Sequence, residues 1–177
     1  MSSNARAQTG SPSSARGWLS GVLTADVSAP DKVEHVDRDM IVSSSLTDTF
    51  AFFAEAANLQ RITPPWLRFS ILTPPPIQMG VGREIRYRIG LYGLPVPWWS
   101  QIDVWEPGVC FVDRQIVGPY RWWRHEHRFE AVAGGTRVVD RIEYRPRAGW
   151  LSGSLVRRDL KRIFDYRQEA LRRIFAR

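Results

Sequence analysis

Between residues 111 and 144 the chain alternates with a period of two. Phe111, Asp113 and Gln115 share one side of an extended segment, with Val112, Arg114 and Ile116 on the other. Trp123, His125, His127 and Phe129 oppose Trp122, Arg124, Glu126 and Arg128. After Gly134-Gly135, Val138, Asp140, Ile142 and Tyr144 oppose Arg137, Val139, Arg141 and Glu143. Unpaired charge is too costly to bury, so the Arg-rich sides face water. The opposite sides face inward, and they are not purely apolar. Asp113, Gln115, His125, His127, Asp140 and Tyr144 stand there among Phe, Val, Ile and Trp. A plain core avoids such groups, whereas a ligand cavity uses a few of them as anchors.

The flanking segments supply the remaining elements. Residues 34–43 alternate and predict a first strand. Ser44 or Ser45 caps a helix over Leu46 to Ala57, with Phe50, Phe53, Ala54 and Ala57 on one side. A second short helix over 58–62 is stopped by Thr63-Pro64-Pro65. Strands are predicted over Trp66–Leu72, Arg83–Leu91 and Val96–Glu106. Ile85, Tyr87 and Ile89 face inward on the second of these. On the third, Trp98, Ser100, Ile102 and Val104 face inward, and Trp99, Gln101, Asp103 and Trp105 face out. From residue 151 the period changes. Val156, Leu160, Ile163, Phe164, Arg167, Leu171 and Ile174 fall on one side of a long amphipathic helix. The order predicts an α+β, helix-grip fold: a curved antiparallel sheet of about seven strands around a long C-terminal helix, with two short helices after strand 1. The long helix carries the stripe that covers the sheet's inner face. Between them a cavity of at least about 300 Å³ is expected.

Composition narrows the setting. A chain of 177 residues, 44% hydrophobic, suits one domain with a sizeable core. We divide it into a disordered or loosely docked leader, rich in Ser, Ala, Gly and Pro, over residues 1–30, and a ligand-binding domain over 31–177. Cys110 is the single cysteine, so no intrachain disulfide can form. No apolar run is long enough to span a membrane, and no signal-peptide core follows Met1. A cytoplasmic protein is expected. The net charge of +7 comes from residues 145–177, where ten Lys/Arg face three acids. Excess charge confined to this C-terminal segment tempers the case for nucleic acid as a partner. It leaves room for peripheral contact with an anionic membrane or an acidic protein.

Four motifs carry a family resemblance. They are N-L-Q-R-I-T-P-P-W-L-R-F at 58–69, F-V-D-R-Q-I-V-G-P-Y at 111–120, W-R-H-E-H-R-F at 123–129 and I-F-D-Y-R at 163–167. With the element order, they resemble the START-like or Bet v 1-like (SRPBCC) superfamily, and within it a bacterial cyclase/dehydrase-like subgroup. The resemblance covers about residues 34–176. It implies the helix-grip fold and a cavity for a hydrophobic small molecule, such as a lipid, quinone or polyketide. It leaves activity open, because the superfamily includes carriers, cyclases and chaperones.

Each candidate site residue has a plainer alternative. His125 and His127 project to one side of a strand and could share a metal with Asp113 or Asp140. The spacing fixes no third ligand, so a hydrogen-bonded network or a ligand anchor is preferred; no metal and no cofactor are expected. Asp113, His125, His127 and Asp140 are the candidate acid–base groups of a cyclase/dehydratase-like enzyme, for which no nucleophile or dinucleotide motif is present. Arg167, inside the apolar stripe, must be paired if buried. It is expected to hydrogen-bond Asp113, Asp140 or an anionic ligand. Tyr87, Trp98, Ile102, Gln115, Tyr144 and Ile163 complete the expected ligand contacts. The leading reading is a binding protein for a hydrophobic molecule. The alternatives are that enzyme, or an interaction module that uses the basic C-terminal helix.

Overall fold

The computed structural model describes residues 32–147 and 153–176. The leader expected over 1–30 lies outside them. Strand β1 (Glu34–Val42) runs into helix α1 (Leu46–Ala54). Ser45 caps that helix, its hydroxyl accepting from the Asp48 backbone N–H at 3.1 Å. Glu55 ends it, and the Glu55 carboxylate accepts from Ala57 N–H to start a 3-10 helix over Ala56–Ile62. The expected single helix to Ala57 is therefore split in two. A further 3-10 turn occupies Pro65–Leu67.

The predicted strand Trp66–Leu72 is corrected to two residues, β2 (Ser70–Ile71). Pro64-Pro65 starts the 3-10 turn, and Arg68 takes a left-handed conformation at φ 43°, so pairing cannot begin before Ser70. Strands β3 (Glu84–Leu91), β4 (Leu94–Glu106), β5 (Cys110–Val117), β6 (Tyr120–Val132) and β7 (Gly135–Pro146) then follow as hairpins. In the β6–β7 turn a Cβ on Gly135 would sit 1.9 Å from the Val42 carbonyl oxygen, which excludes any side chain there. Helix α2 (Gly153–Ile174) closes the fold.

The seven strands form one antiparallel sheet in the order β1-β7-β6-β5-β4-β3-β2. The helical segment between β1 and β2 crosses from one edge of the sheet to the other. Sheet and α2 enclose the core, giving the helix-grip arrangement that the pattern predicts. The Arg38–Asp165 ion pair at 3.2 Å ties β1 to α2.

Register shifts interrupt the alternation at Trp99/Ser100 and Ile102/Val104 of β4 and at Tyr120/Trp122 of β6, and the one after Ile102 overturns an assigned face. The β4–β5 register shifts between Ile102 and Val104. This bulge passes over Asp103 and reverses the faces beyond it. Trp105, assigned outward from strict alternation, turns inward against Phe50 and Phe111 with ring centroids at 5.3 and 5.5 Å. Trp99, before the bulge, keeps its outward face, where the Arg86 guanidinium stacks 4.3 Å from its ring.

The core has two apolar clusters. One gathers Trp98, Trp123, Ile142 and Tyr144 against Val156, Leu160 and Phe164 of α2. The other gathers Phe50, Phe53, Phe111, Phe129 and Val138 against Leu171. The inward polar residues lie in the seam. His125 packs on Phe164 of the first cluster, His127 on Phe111 of the second, and their own rings are 3.8 Å apart.

Candidate ligand cavity

A cavity of about 180 Å³ lies between the sheet and α2. Tyr87, Trp98, Ile102 and Trp123 form its sheet wall, and Leu160, Ile163 and Phe164 form its helix wall. Its volume falls short of the expected 300 Å³ because Phe53, Ile62, Leu67 and Phe69 also line it. These side chains come from the segment between β1 and β2, whose placement the strand alternation does not reveal. A second space of about 310 Å³ opens beside it, between Trp66, Tyr92 and the Arg158–Arg162 part of α2, and shares Leu67, Leu91 and Ile163.

The polar end of the inner cavity is built from Asp113, His125, His127 and Arg167. Cross-strand pairing explains the meeting: Asp113 lies opposite His125, and His127 lies opposite Asp140. Asp140 does not line the cavity; it stands behind the imidazoles. Its Oδ1 accepts from His125 Nε2 at 3.1 Å and lies 2.7 Å from His127 Nδ1. The second approach is bent away from a linear hydrogen bond, and His127 Nδ1 has no well-aligned partner among the described residues. At 2.7 Å from a carboxylate oxygen, Nδ1 must nevertheless carry the proton.

Asp113 is held from the other side. Ser100 donates to Asp113 Oδ1 at 3.0 Å, and Ser100 Oγ accepts from Trp98 Nε1 and meets the Tyr87 hydroxyl, each at 3.1 Å. Asp113 Oδ2 then points at the histidines, 3.9 Å from His125 Nδ1 and 3.7 Å from His127 Nε2. Ser100 was not singled out from the sequence. The signal was present, a hydroxyl between Trp98 and Ile102 on an inward face.

Burial dominates the electrostatics. It pushes His125 down to about 4, with His127 adding to the effect against the pull of Asp140. Burial alone would raise Asp140, but the Arg167 charge and the two imidazoles outweigh it and hold the carboxyl well below the ordinary range. Asp113 is likewise lowered, burial being overcome by the histidines and Ser100. Burial and the Asp113 charge push the Tyr87 hydroxyl well up. At neutral pH the seam thus holds two carboxylates, a neutral His125 and the Arg167 cation.

Two expected contacts lie elsewhere. Gln115 braces the β5–β6 turn, donating from Nε2 to the Tyr120 carbonyl at 2.8 Å. Tyr144 is fully buried and donates to Glu34 Oε2 at 2.9 Å. Arg167 turns inward as expected, but its Nε lies 3.7 Å from Asp140 Oδ2. That is an ion pair without the expected hydrogen bond.

Solved structures share this fold. The chain superposes on the ZhuI aromatase/cyclase from Streptomyces sp. R1128 with a TM-score of 0.60, at 21% identity, over 82% of this chain and 98% of that one. It superposes on Ara h 8.0201 with a TM-score of 0.61, at 13% identity, over 81% and 98%. For the major latex-like protein 151 of Panax ginseng the TM-score is 0.58, at 8% identity, over 82% and 99%. The fold is the Bet v 1-like helix grip. In sequence, residues 91–175 match a family described as "Domain of unknown function (DUF8410)". No curated protein sequence matches the chain. This Bet v 1-like fold accounts for the place of the cavity, between sheet and C-terminal helix. Among the described residues no helix is long and apolar enough to cross a membrane.

Proposed function

We propose that the chain is a binding protein for a compact hydrophobic molecule with one polar end, held between the sheet and α2. One observation carries this reading: an apolar cavity whose inner end gathers Asp113, His125, His127 and Arg167. A closed apolar cavity of about 150 Å³ is enough to hold one benzene ring. The inner cavity suits a ring of a quinone- or polyketide-like compound, with the remainder in the outer space beside Trp66 and Tyr92. A lipid would place only one end of its chain there. Titration with 2-naphthol, followed by its fluorescence, tests the reading. Saturable binding that Ile102→Trp abolishes supports it; equal binding by the filled variant contradicts it.

The same groups support a second reading, a cyclase- or dehydratase-like enzyme. Asp113, His125 and His127 all line the cavity, and a neutral imidazole or a carboxylate can accept a proton there. Asp140 lies behind them and could only position the imidazoles. Turnover of a ring-forming polyketide analogue that falls about 100-fold in His125→Ala would support this reading, and an unchanged rate would remove His125 from it. The interaction-module reading gains little from the structure. Arg157 pairs with Glu34, Lys161 with Asp165, and Arg172 and Arg173 share Glu169, so four basic side chains of the helix are already engaged within the chain.

A further inference from the structure

The hydrogen-bond directions in the polar seam leave three acceptors aimed at one point. Both imidazoles turn a protonated nitrogen to Asp140 Oδ1, His125 through Nε2 and His127 through Nδ1. A neutral imidazole with one N–H has a lone pair on its other nitrogen. Those nitrogens, His125 Nδ1 and His127 Nε2, face Asp113 Oδ2 at 3.9 and 3.7 Å. Asp113 Oδ1 is already engaged by Ser100, so Oδ2 is the free oxygen. Three lone pairs that converge without a donor between them repel one another. A water molecule has two hydrogens and would satisfy only two of the three. A proton on either imidazole would have to bridge 3.7 Å or more, beyond hydrogen-bond range.

We propose that Asp113 Oδ2, His125 Nδ1 and His127 Nε2 bind one divalent transition-metal ion at the inner end of the cavity, with Asp140 as the outer carboxylate that fixes both imidazoles. One ligand atom from each of the three residues lies within 4.8 Å of the others. Metal–ligand bonds of about 2.0 to 2.2 Å place tetrahedral ligands roughly 3.4 Å apart, so the two Asp113–histidine distances of 3.9 and 3.7 Å need close by only a few tenths of an ångström. The outer shell is already in place. A ligating histidine normally donates its other N–H to a carboxylate, and here one carboxylate serves both. Ser100, held by Trp98 and Tyr87, does the same for Asp113. Charge points the same way: Arg167 is paired with Asp140, and a divalent cation would offset the Asp113 carboxylate.

Two imidazoles and one carboxylate suit zinc or ferrous iron, and three protein ligands leave a coordination position open. Because all three ligands line the cavity, that position faces the bound molecule. The inference stands apart from the hydrophobic-ligand reading, since metal and 2-naphthol are titrated separately and either can fail alone.

The test is calorimetric titration of the untagged, EDTA-treated full chain with Zn²⁺, and with Co²⁺ followed by its visible absorption. The result expected is one ion per chain. Asp113→Asn and His127→Gln should each weaken binding by more than about 100-fold, and Asp140→Asn by about 10- to 100-fold. His35→Ala, which removes the exposed histidine of β1, should change nothing. Where Asp113→Asn alters the metal-free circular dichroism, Ser100→Ala serves instead, with a loss of about tenfold expected. The proposal is overturned if the wild type binds no stoichiometric ion, or if the Asp113 and Ser100 variants bind as tightly as the wild type.

Discussion

Arg167 Nε lies 3.7 Å from Asp140 Oδ2, both side chains at least nine-tenths buried, with no hydrogen bond between them. The guanidinium sits over the Phe53 and Phe164 rings at 5.5 and 5.8 Å, so one residue of α2 joins the two apolar clusters and carries the charge that balances Asp140. Removing it would leave a buried carboxylate without its cation. Arg167→Ala should therefore cost about 3 to 5 kcal/mol. Arg172→Ala removes only an exposed pair with Glu169 and should stay within about 0.5 kcal/mol. Thermal melts of the two variants decide this; equal small losses would mean that Arg167 reaches solvent.

The β4 bulge makes two tryptophans of one strand unequal. Trp105 packs among Phe50 and Phe111, so Trp105→Ala should cost about 2 to 4 kcal/mol, somewhat less than for a fully buried aromatic. Trp99→Ala gives up mainly its stack with Arg86 and should cost about 0.5 to 1 kcal/mol. Urea denaturation of both variants checks the order. A larger loss at Trp99 would place the register shift elsewhere.

Acid should weaken the metal-free fold before the carboxylates titrate. Burial, with His127 beside it, lowers His125 from 6.5 to about 4. Between those values the unfolded chain holds a proton that the folded chain excludes. Stability therefore falls as pH drops from about 6.5 toward 4, by up to about 3 kcal/mol. Asp113 and Asp140 are held below their ordinary range, so their share is lost lower still, as pH falls through their folded values. Urea midpoints at pH 7 and pH 4.5, with EDTA present, should differ clearly in the wild type and much less in His125→Asn. Parallel losses in the two proteins would contradict a buried neutral His125.

Much of this was legible in the alternation. Charged faces identified the wet side of β3, β6 and β7, and the lone Arg167 in an apolar stripe marked the place where α2 meets the polar seam. What strict periodicity could not give was register. The bulge past Asp103 leaves no signature in a run that alternates on both sides of it, so alternation alone assigns Trp105 to the wrong face. Third partners were equally hidden. A His-x-His pair places two imidazoles on one face, but only the cross-strand pairing of Asp113 with His125 brings a carboxylate to them, and only the hydrogen-bond partners show that Asp140 stands behind. The helices after β1 were found from local spacing, yet their insertion into the cavity is a long-range fact, and it is why the inner space is smaller than expected.

The proposed function requires that the cavity hold a molecule. Native mass spectrometry of the full chain, purified from its own organism and sprayed with and without prior organic extraction, addresses this directly. The account predicts a small-molecule mass increment that extraction removes and that the Ile102→Trp chain, isolated the same way, never carries. A bare polypeptide mass before extraction, or an increment carried equally by the filled variant, would contradict it.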